Sequence, residues 1–226
     1  MDIKIRIKNA ISNNNLLAIK RRKRMRNDLK NNKISLLCPN CLGGMLLHDL
    51  NLPFLSPTIN LMFFQKDFVK FVLNLSYYLN ERLIFYNDPN FDCPCAKIGS
   101  GEMQISIHFT HYSNQEDAEK SWYTRSKRIN FDNIFVILME RDGLNKKEII
   151  ELGKINVKGL VIFTAHEYLD IPYACFISKY KKHGEVGNIL RRSFWNDKKE
   201  YEHYFDFVSW FNYSNGKPYN ISSYIK

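Results

Sequence analysis

The sequence contains no apolar run of the roughly 18 residues that a membrane-spanning helix requires. Its first residues, Met1 to Lys4, alternate charged and apolar side chains and lack the apolar block and cleavage site of a secretory signal. We therefore expect a cytoplasmic protein. Cysteine is also scarce. The chain has 5, an odd number that in a reducing compartment favours free thiols over a disulfide framework.

Acidic residues are nearly absent from the first part of the chain. Residues 1–33 contain eleven Lys or Arg and only two acids, Asp2 and Asp28, so they carry +9 of the total net charge of +10. This asymmetry predicts a basic N-terminal helical arm over residues 1–32, followed by a single α/β domain over residues 33–226.

The basic run at residues 20–26 has three interpretations. The simplest is a solvated helix face. The same charges attract an anionic membrane surface, where each basic residue contributes about 1 kcal/mol, and such contact would place the protein peripherally at the inner membrane surface. They also attract nucleic-acid phosphates. The rest of the chain has no nucleic-acid-binding motif, so we expect no nucleic-acid partner.

Apolar residues are plentiful, at 45% of the chain, which excludes global disorder. Apolar runs alternate with amphipathic segments, and this order predicts an α/β fold with one mixed or mostly parallel sheet flanked by helices. The predicted strands are residues 34–38, 104–109, 134–139 and 159–163, with 174–177 as a further candidate. The predicted helices are residues 10–32, 45–50, 65–80, 115–128 and 146–154, with a helical, aromatic-rich last third from residue 184.

Several local patterns resemble one bacterial family. They are Asn40-Cys41-x-Gly43-Gly44, Ser56-Pro57-Thr58-x-Asn60-Leu61, Asp67-Phe68-x-Lys70-Phe71, His108-Phe109-x-His111-Tyr112, Trp122-x-x-Arg125-x-x-Arg128-Ile129-Asn130, Arg141-Asp142-Gly143 and Phe205-Asp206-x-Val208-x-Trp210. In this order they resemble the family of unknown function labelled exopolysaccharide biosynthesis protein (domain of unknown function 1919), over about residues 12–212. The resemblance implies a role in making or modifying surface polysaccharide, and it supplies no catalytic residue. Cys38 is an addition to the family's pattern.

Cys41 is the candidate nucleophile. It lies between a predicted buried strand and a predicted helix N-terminus, where the helix dipole and free N–H groups stabilise a thiolate or a bound anion. Asn40, Gly43 and Gly44 would then approach a ligand closely. His48, His108 and His111 are candidate bases, and we prefer His111 because it enters the loop after a strand. The alternative is a buried structural cysteine in a tight turn.

Asp142 is the third candidate catalytic residue, because it follows an apolar strand at the edge where ligands bind in α/β sheets. The alternative is a common Asp-Gly turn. Other polar residues are candidate substrate contacts. Arg125 and Arg128 are three residues apart and suit a diphosphate or a carboxylate. Alternatively, an arginine stacks on Trp122 and pairs with Asp132. His48 and the loop residues Ser56 and Thr58 complete the predicted substrate-binding set, together with Asn40, Gly43, Gly44 and the two arginines.

No metal or redox site is predicted, and the cofactor is left open. Cys38 and Cys41 have redox spacing, while Cys93 and Cys95 have a C-x-C spacing that is a poor match to a zinc knuckle. We interpret these cysteines as small apolar residues.

Two functions are consistent with these residues and with the resemblance. The first is a transferase, of the glycosyl or acyl type, that acts on a sugar-phosphate or nucleotide-sugar precursor of surface polysaccharide. The second is a non-catalytic carbohydrate-binding or assembly protein of the same process. A third possibility is a nucleic-acid-binding protein that acts through the basic arm alone.

Overall fold

The most apolar runs of the chain form a central parallel sheet in the computed structural model, which describes residues 16–192 and 198–226. The strands β1 to β7 span Ser35–Leu37, Ile84–Tyr86, Cys95–Ile98, Ile105–His108, Ile134–Met139, Gly159–Thr164 and Ala174–Phe176. The helices α1 to α7 span Leu16–Asp28, Cys41–Leu50, Gln65–Leu73, Leu75–Asn80, Gln115–Ser126, Lys146–Leu152 and Phe207–Tyr213.

The parallel sheet has the strand order β1-β5-β6-β7, with Leu37 opposite Val136 and Met139 opposite Phe163. Every residue of β5 and β6 is buried, because helices cover both faces of the sheet. On one face lie α3, α5, α6 and a second, smaller sheet. On the other face lie α2 and α7. The predicted α/β class with a mostly parallel sheet is thus confirmed.

The prediction that residues 104–109 belong to the same sheet is wrong. Ile105–His108 forms β4 of a separate antiparallel sheet with the order β2-β3-β4. Strands β3 and β4 are joined by a reversal in which Gly99 and Gly101 both have positive φ, at 79° and 54°. Strands β2 and β3 went unpredicted because they are short, at 3 and 4 residues, and are separated by a polar, turn-rich segment.

Several of the predicted helices also differ from those in the structure. The predicted helix over 65–80 is interrupted at Asn74, whose side-chain amide donates to the Lys70 carbonyl oxygen at 3.1 Å. Helix α2 begins at Cys41 instead of residue 45. From residue 184 onward, the described chain has one α-helix, α7, and otherwise consists of short turns and irregular segments.

The described part of the predicted basic arm lies against the domain. Helix α1 contacts α2, and Arg26 donates from Nε to the Asp49 carbonyl oxygen at 2.8 Å. Met25 and Leu29 pack on the core beneath it. Residues 1–15 of the predicted arm lie outside the described residues. None of the helices described is both long and apolar enough to span a bilayer.

Candidate active site

The carboxyl end of β1 leads directly into helix α2. Asn40 has extended backbone angles (φ −151°, ψ −172°), and its side-chain oxygen accepts the Leu42 N–H at 3.0 Å. Asn40 is therefore the N-cap of α2. Cys41 becomes the first residue of the helix, at the edge of the parallel sheet where ligands usually bind in α/β folds.

Cys41 contacts His111. The Cys41 Sγ and His111 Nε2 atoms are 3.1 Å apart, although the two residues are 70 positions apart in the sequence. His111 is exposed in the turn after β4, where the Tyr112 N–H donates to the Phe109 carbonyl oxygen at 2.9 Å. The structure thus brings together the predicted nucleophile and the preferred candidate base. A thiol and an imidazole at this distance have the geometry of a nucleophile and its general base.

Burial determines which of the two neighbouring thiols is available. Burial raises the pKa of Cys41, which is partly exposed. Burial raises the pKa of Cys38 to about 12, and this thiol is fully buried. Both sulfurs therefore carry their protons at neutral pH. Of these two thiols, only that of Cys41 has an imidazole positioned to accept its proton, so Cys41 is the better candidate nucleophile.

The two glycines of α2 permit close packing. A Cβ on Gly43 would lie 2.8 Å from the Cys38 Cβ, and a Cβ on Gly44 would lie 3.3 Å from the Asn60 side-chain oxygen. The Leu42 N–H is already bonded to Asn40, and the Gly43 N–H faces the Cys38 sulfur. In this structure Asn40, Gly43 and Gly44 shape the turn, and their predicted ligand contacts stay predictions.

Ser56 and Thr58 are fully buried and hydrogen-bonded within the protein. The Thr58 hydroxyl accepts the Cys38 N–H at 3.2 Å, and the Ser56 and Thr58 hydroxyl oxygens are 3.1 Å apart. These bonds tie the loop to the end of β1 beside Cys41. Both hydroxyls therefore form hydrogen bonds within the protein that hold this loop against the end of β1.

Arg125 braces the turn that carries His111. Its Nη1 donates to the Tyr112 hydroxyl at 2.8 Å and to the Ile59 carbonyl oxygen at 2.9 Å. Its guanidinium lies over the Phe54 ring, 5.7 Å from the centroid. These partners replace the predicted alternative of stacking on Trp122.

The predicted helix over 115–128 ends at Ser126, so Arg125 lies within it and Arg128 lies beyond it. The last turn of α5 is tightened, because the Ser126 hydroxyl donates to the Trp122 carbonyl oxygen at 2.8 Å. The Arg128 N–H then bonds to the Arg125 carbonyl oxygen, three residues back. Arg128 lies beyond the helix and is exposed.

The other two candidate histidines lie away from Cys41. His48 is near the opposite end of α2, about 10 Å along the helix axis from Cys41 at 1.5 Å per residue, and its side chain is 81% exposed. His108 is buried and stacks on Phe91, with ring centroids 4.0 Å apart. Neither is the base that the geometry selects.

Asp142 lies in a turn after β5. Asp142 and Gly143 both have positive φ, at 54° and 73°, and the Leu144 N–H bonds to the Arg141 carbonyl oxygen. This is the Asp-Gly turn that the sequence offered as an alternative to a ligand contact. The Asp142 carboxylate lies 3.3 Å from the Arg141 Nε. Its predicted catalytic role stays a prediction.

A second acid–base cluster on the same edge went unpredicted. Glu140, after β5, is buried and accepts four hydrogen bonds: from the Ala165 and His166 backbone N–H groups at 2.7 and 3.0 Å, from His166 Nδ1 at 2.9 Å, and from the Tyr168 hydroxyl at 2.5 Å. His166 is mostly exposed, so its Nε2 faces outward. The sequence signals were Glu140, directly after the apolar run of β5, and His166, two residues after the end of β6.

A protein-family model described as a domain of unknown function, DUF1919, matches residues 12–212. The chain belongs to the DUF1919 family. An uncharacterized protein of Haemophilus influenzae is 34% identical over 209 residues, which are 92% of this chain and 98% of that protein. The family match covers Cys41, His111, Arg125 and Asp142, and it assigns no role to any of them.

In this DUF1919 protein, the carboxyl edge therefore carries two side-chain pairs that can transfer protons. The Cys41–His111 pair lies beside β1, and the Glu140–His166 pair follows β5 and β6. Strand β5 is adjacent to β1 and β6 is the next strand, at roughly 4.8 Å per strand, so the two pairs are neighbours along one edge of the sheet.

Proposed function

We propose that this DUF1919 protein is a transferase that moves an acyl group onto a precursor of surface polysaccharide, with Cys41 as nucleophile and His111 as general base. The observation that carries the proposal is the 3.1 Å contact between the Cys41 Sγ and the His111 Nε2. The polysaccharide substrate comes from the resemblance of the sequence to proteins with that label. The ligand class is a sugar-phosphate or nucleotide-sugar.

The proposed reaction has two steps, acylation of Cys41 and transfer of the acyl group to a sugar hydroxyl. The Cys41 thiol proton passes to His111 as the sulfur attacks the acyl carbonyl carbon of the donor. The donor's leaving group departs with that proton, and an acyl thioester remains on Cys41. A sugar hydroxyl then attacks the thioester while His111 takes the hydroxyl proton. The Cys41 sulfur leaves and regains this proton, so the enzyme returns to its starting state.

Acyl transfer suits these residues better than glycosyl transfer. A thiol and an imidazole form and resolve thioesters readily, whereas glycosyl transfer through a covalent intermediate ordinarily uses a carboxylate beside the anomeric carbon. Asp142 lies in a turn and contacts Arg141. The Glu140–His166 pair on the same edge is available to a hydroxyl of the acceptor, whereas Arg128 precedes β5 at the opposite edge of the sheet, two residues before Asn130, which bonds to Ser35 at the start of β1.

The test is to trap the acyl-enzyme. The protein is incubated with acetyl-coenzyme A or an activated acetyl ester, and intact-mass and peptide measurements locate the adduct. We expect one acetyl group per chain on Cys41, none at this position in Cys41→Ser, and normal labelling in the control His48→Gln. Addition of a nucleotide-sugar mixture should discharge the adduct and acetylate a sugar. Labelling spread over several cysteines, or unchanged in His111→Gln, would contradict the proposal.

A groove elsewhere favours the second candidate, a carbohydrate-binding role. Exposed Tyr77 and Phe131 flank it, and polar groups of Asn74, Asp132 and Asn156 line it. An aromatic ring beside amide and carboxylate groups suits a sugar ring. We propose that this groove binds a glycan and that the binding does not involve Cys41. Tyr77→Ala and Phe131→Ala should then abolish glycan binding measured by NMR titration, while Cys41→Ser leaves it intact.

A further inference from the structure

We propose that the small antiparallel sheet binds a zinc ion through Asp88, Cys95 and His108, with Cys93 as the fourth ligand. One potential ligand atom from each of the first three residues lies within 4.8 Å of the others. Carboxylate, thiolate and imidazole groups are the ligand types that zinc takes in tetrahedral sites. The inference does not depend on the proposed transferase activity.

The strand pairing explains why these residues meet. Cys95 in β3 is directly opposite His108 in β4 and opposite Tyr86 in β2. Opposite residues of an antiparallel pair project from the same face of the sheet, which places the thiol and the imidazole together. Asp88 follows β2 by two residues and completes the group from the third strand. The site therefore draws its ligands from all three strands of the sheet or their ends.

Cys93 is available as the fourth ligand. The Cys95 thiol donates to the Cys93 carbonyl oxygen at 3.4 Å, and both cysteines are free. Cys93 lies in the bend that precedes β3, two residues before Cys95, and is half-buried. A chain reversal next to a ligand strand can bring a fourth side chain to the same ion, so the C-x-C spacing is compatible with a site that is not a zinc knuckle.

The groups around the ligands orient them. His108 Nδ1 lies 3.3 Å from the Met62 carbonyl oxygen, an arrangement that fixes Nδ1 as the protonated nitrogen and leaves the Nε2 lone pair for a metal. The Asp88 Oδ1 accepts the Asn90 backbone and side-chain N–H groups at 3.0 and 3.1 Å, which orients the carboxylate. His108 is 1% exposed and Cys95 is fully buried. Metal-binding histidines and carboxylates commonly have partners of these kinds.

The site is close to the candidate active site in sequence. His108 ends β4 three residues before His111, and the main chain between them forms the turn that carries His111. A zinc ion would hold the ends of β3 and β4 and the 88–95 loop together. Its predicted role is therefore structural support of the turn, with all four positions filled by protein.

The test measures zinc directly and needs no substrate. Elemental analysis of the full chain, purified without chelators, should give about one zinc per chain. Co²⁺ that is added after removal of the zinc should give the visible absorption bands of a tetrahedral, thiolate-bound cobalt ion. Zinc affinity, measured by competition with a chromogenic chelator, should fall at least tenfold in Asp88→Asn and Cys93→Ser. The exposed Asp92→Asn is the matched control in the same loop and should bind zinc normally.

Each contrary result is decisive. A chain that is purified without metal and does not bind added Zn²⁺ overturns the site. A disulfide between Cys93 and Cys95 in protein that is freshly purified without added oxidant also overturns it. If Asp88→Asn and Cys93→Ser both bind zinc as wild type does, the ion is held elsewhere. Because Cys95→Ser and His108→Gln alter buried positions, their folding is checked by circular dichroism before their zinc affinity is interpreted.

Discussion

The two ends of helix α2 differ in what surrounds them. At the first residue, the partly exposed Cys41 thiol meets His111. Near the last turn, the Asp49 carboxylate bonds to the Lys199 ammonium, and these side chains are only 8% and 1% exposed. One end of this 10-residue helix is partly open and carries a thiol beside an imidazole, whereas the other end is buried and ionic. We infer that the buried end anchors the helix and so positions the Cys41 end.

The buried end has several further connections. The Arg26 guanidinium donates to the Asp49 carbonyl oxygen, and the Lys199 backbone N–H donates to the Glu202 carboxylate at 2.9 Å. Glu202 in turn lies 3.2 Å from Arg21 of α1. Helices α1 and α2 and the segment around Lys199 are thereby joined through ion pairs. Each of these charges is satisfied within the protein, as buried charges must be.

The largest expected effect on stability comes from breaking the buried ion pair. Asp49→Asn leaves the Lys199 ammonium buried without its partner and should lower the free energy of unfolding by about 3–5 kcal/mol. Urea denaturation followed by circular dichroism measures it. The control is Asp28→Asn, which removes an exposed partner of Arg24 and should cost about 1 kcal/mol or less. Equal losses in the two variants would show that the buried end is not the anchor.

A smaller effect is expected where α2 contacts β1. Gly43→Ala places a methyl group 2.8 Å from the Cys38 Cβ, so the helix must shift away from the strand. Overpacking of this kind costs about 1–3 kcal/mol, partly offset by the better helix propensity of alanine. Gly44→Ala, with a nearest contact of 3.3 Å, should cost less. If Gly44→Ala proves the more destabilising in the same denaturation assay, the packing argument fails.

The smallest effect is expected at His48. Its side chain is 81% exposed near the buried end of α2, so His48→Gln should change the free energy of unfolding by about 0.5 kcal/mol or less. It should also leave acylation of Cys41 unchanged, because His48 is about two helical turns away. A slower acylation rate in this variant would mean that the two ends of α2 are coupled more directly than the contacts indicate.

The sequence predicted the parts of the site that depend on local pattern. Cys41 and His111 were candidates because each follows an apolar strand, and the structure places them in contact. The parallel strands were predictable for the same reason, since a fully apolar run has few alternatives to a buried strand. Local pattern also indicated the Asp142–Gly143 turn, whose residues both adopt positive φ.

Contacts set by distant strand pairing were not predictable. The cluster of Glu140, His166 and Tyr168 requires the register between β5 and β6, and the Cys95–His108 pair requires a hairpin whose strands are too short to recognise. The cysteine pairs illustrate the same point. In each pair one thiol is buried and one is partly exposed: Cys38 and Cys95 are buried, whereas Cys41 and Cys93 are half-buried. Spacing alone did not indicate which member of each pair is accessible, because the element that follows each pair decides it.

The central claim is that His111 activates the Cys41 thiol. The decisive measurement is the rate of Cys41 acylation by an activated ester, followed from pH 6 to pH 10 in wild type and in His111→Gln. Because burial raises the pKa of Cys41, little thiolate exists at pH 7 and the reaction there requires a base. Wild type should therefore exceed His111→Gln by about 100-fold at pH 7. The difference should narrow as the pH rises towards the Cys41 pKa, because the thiolate then forms without help. Equal rates at pH 7 would contradict the account.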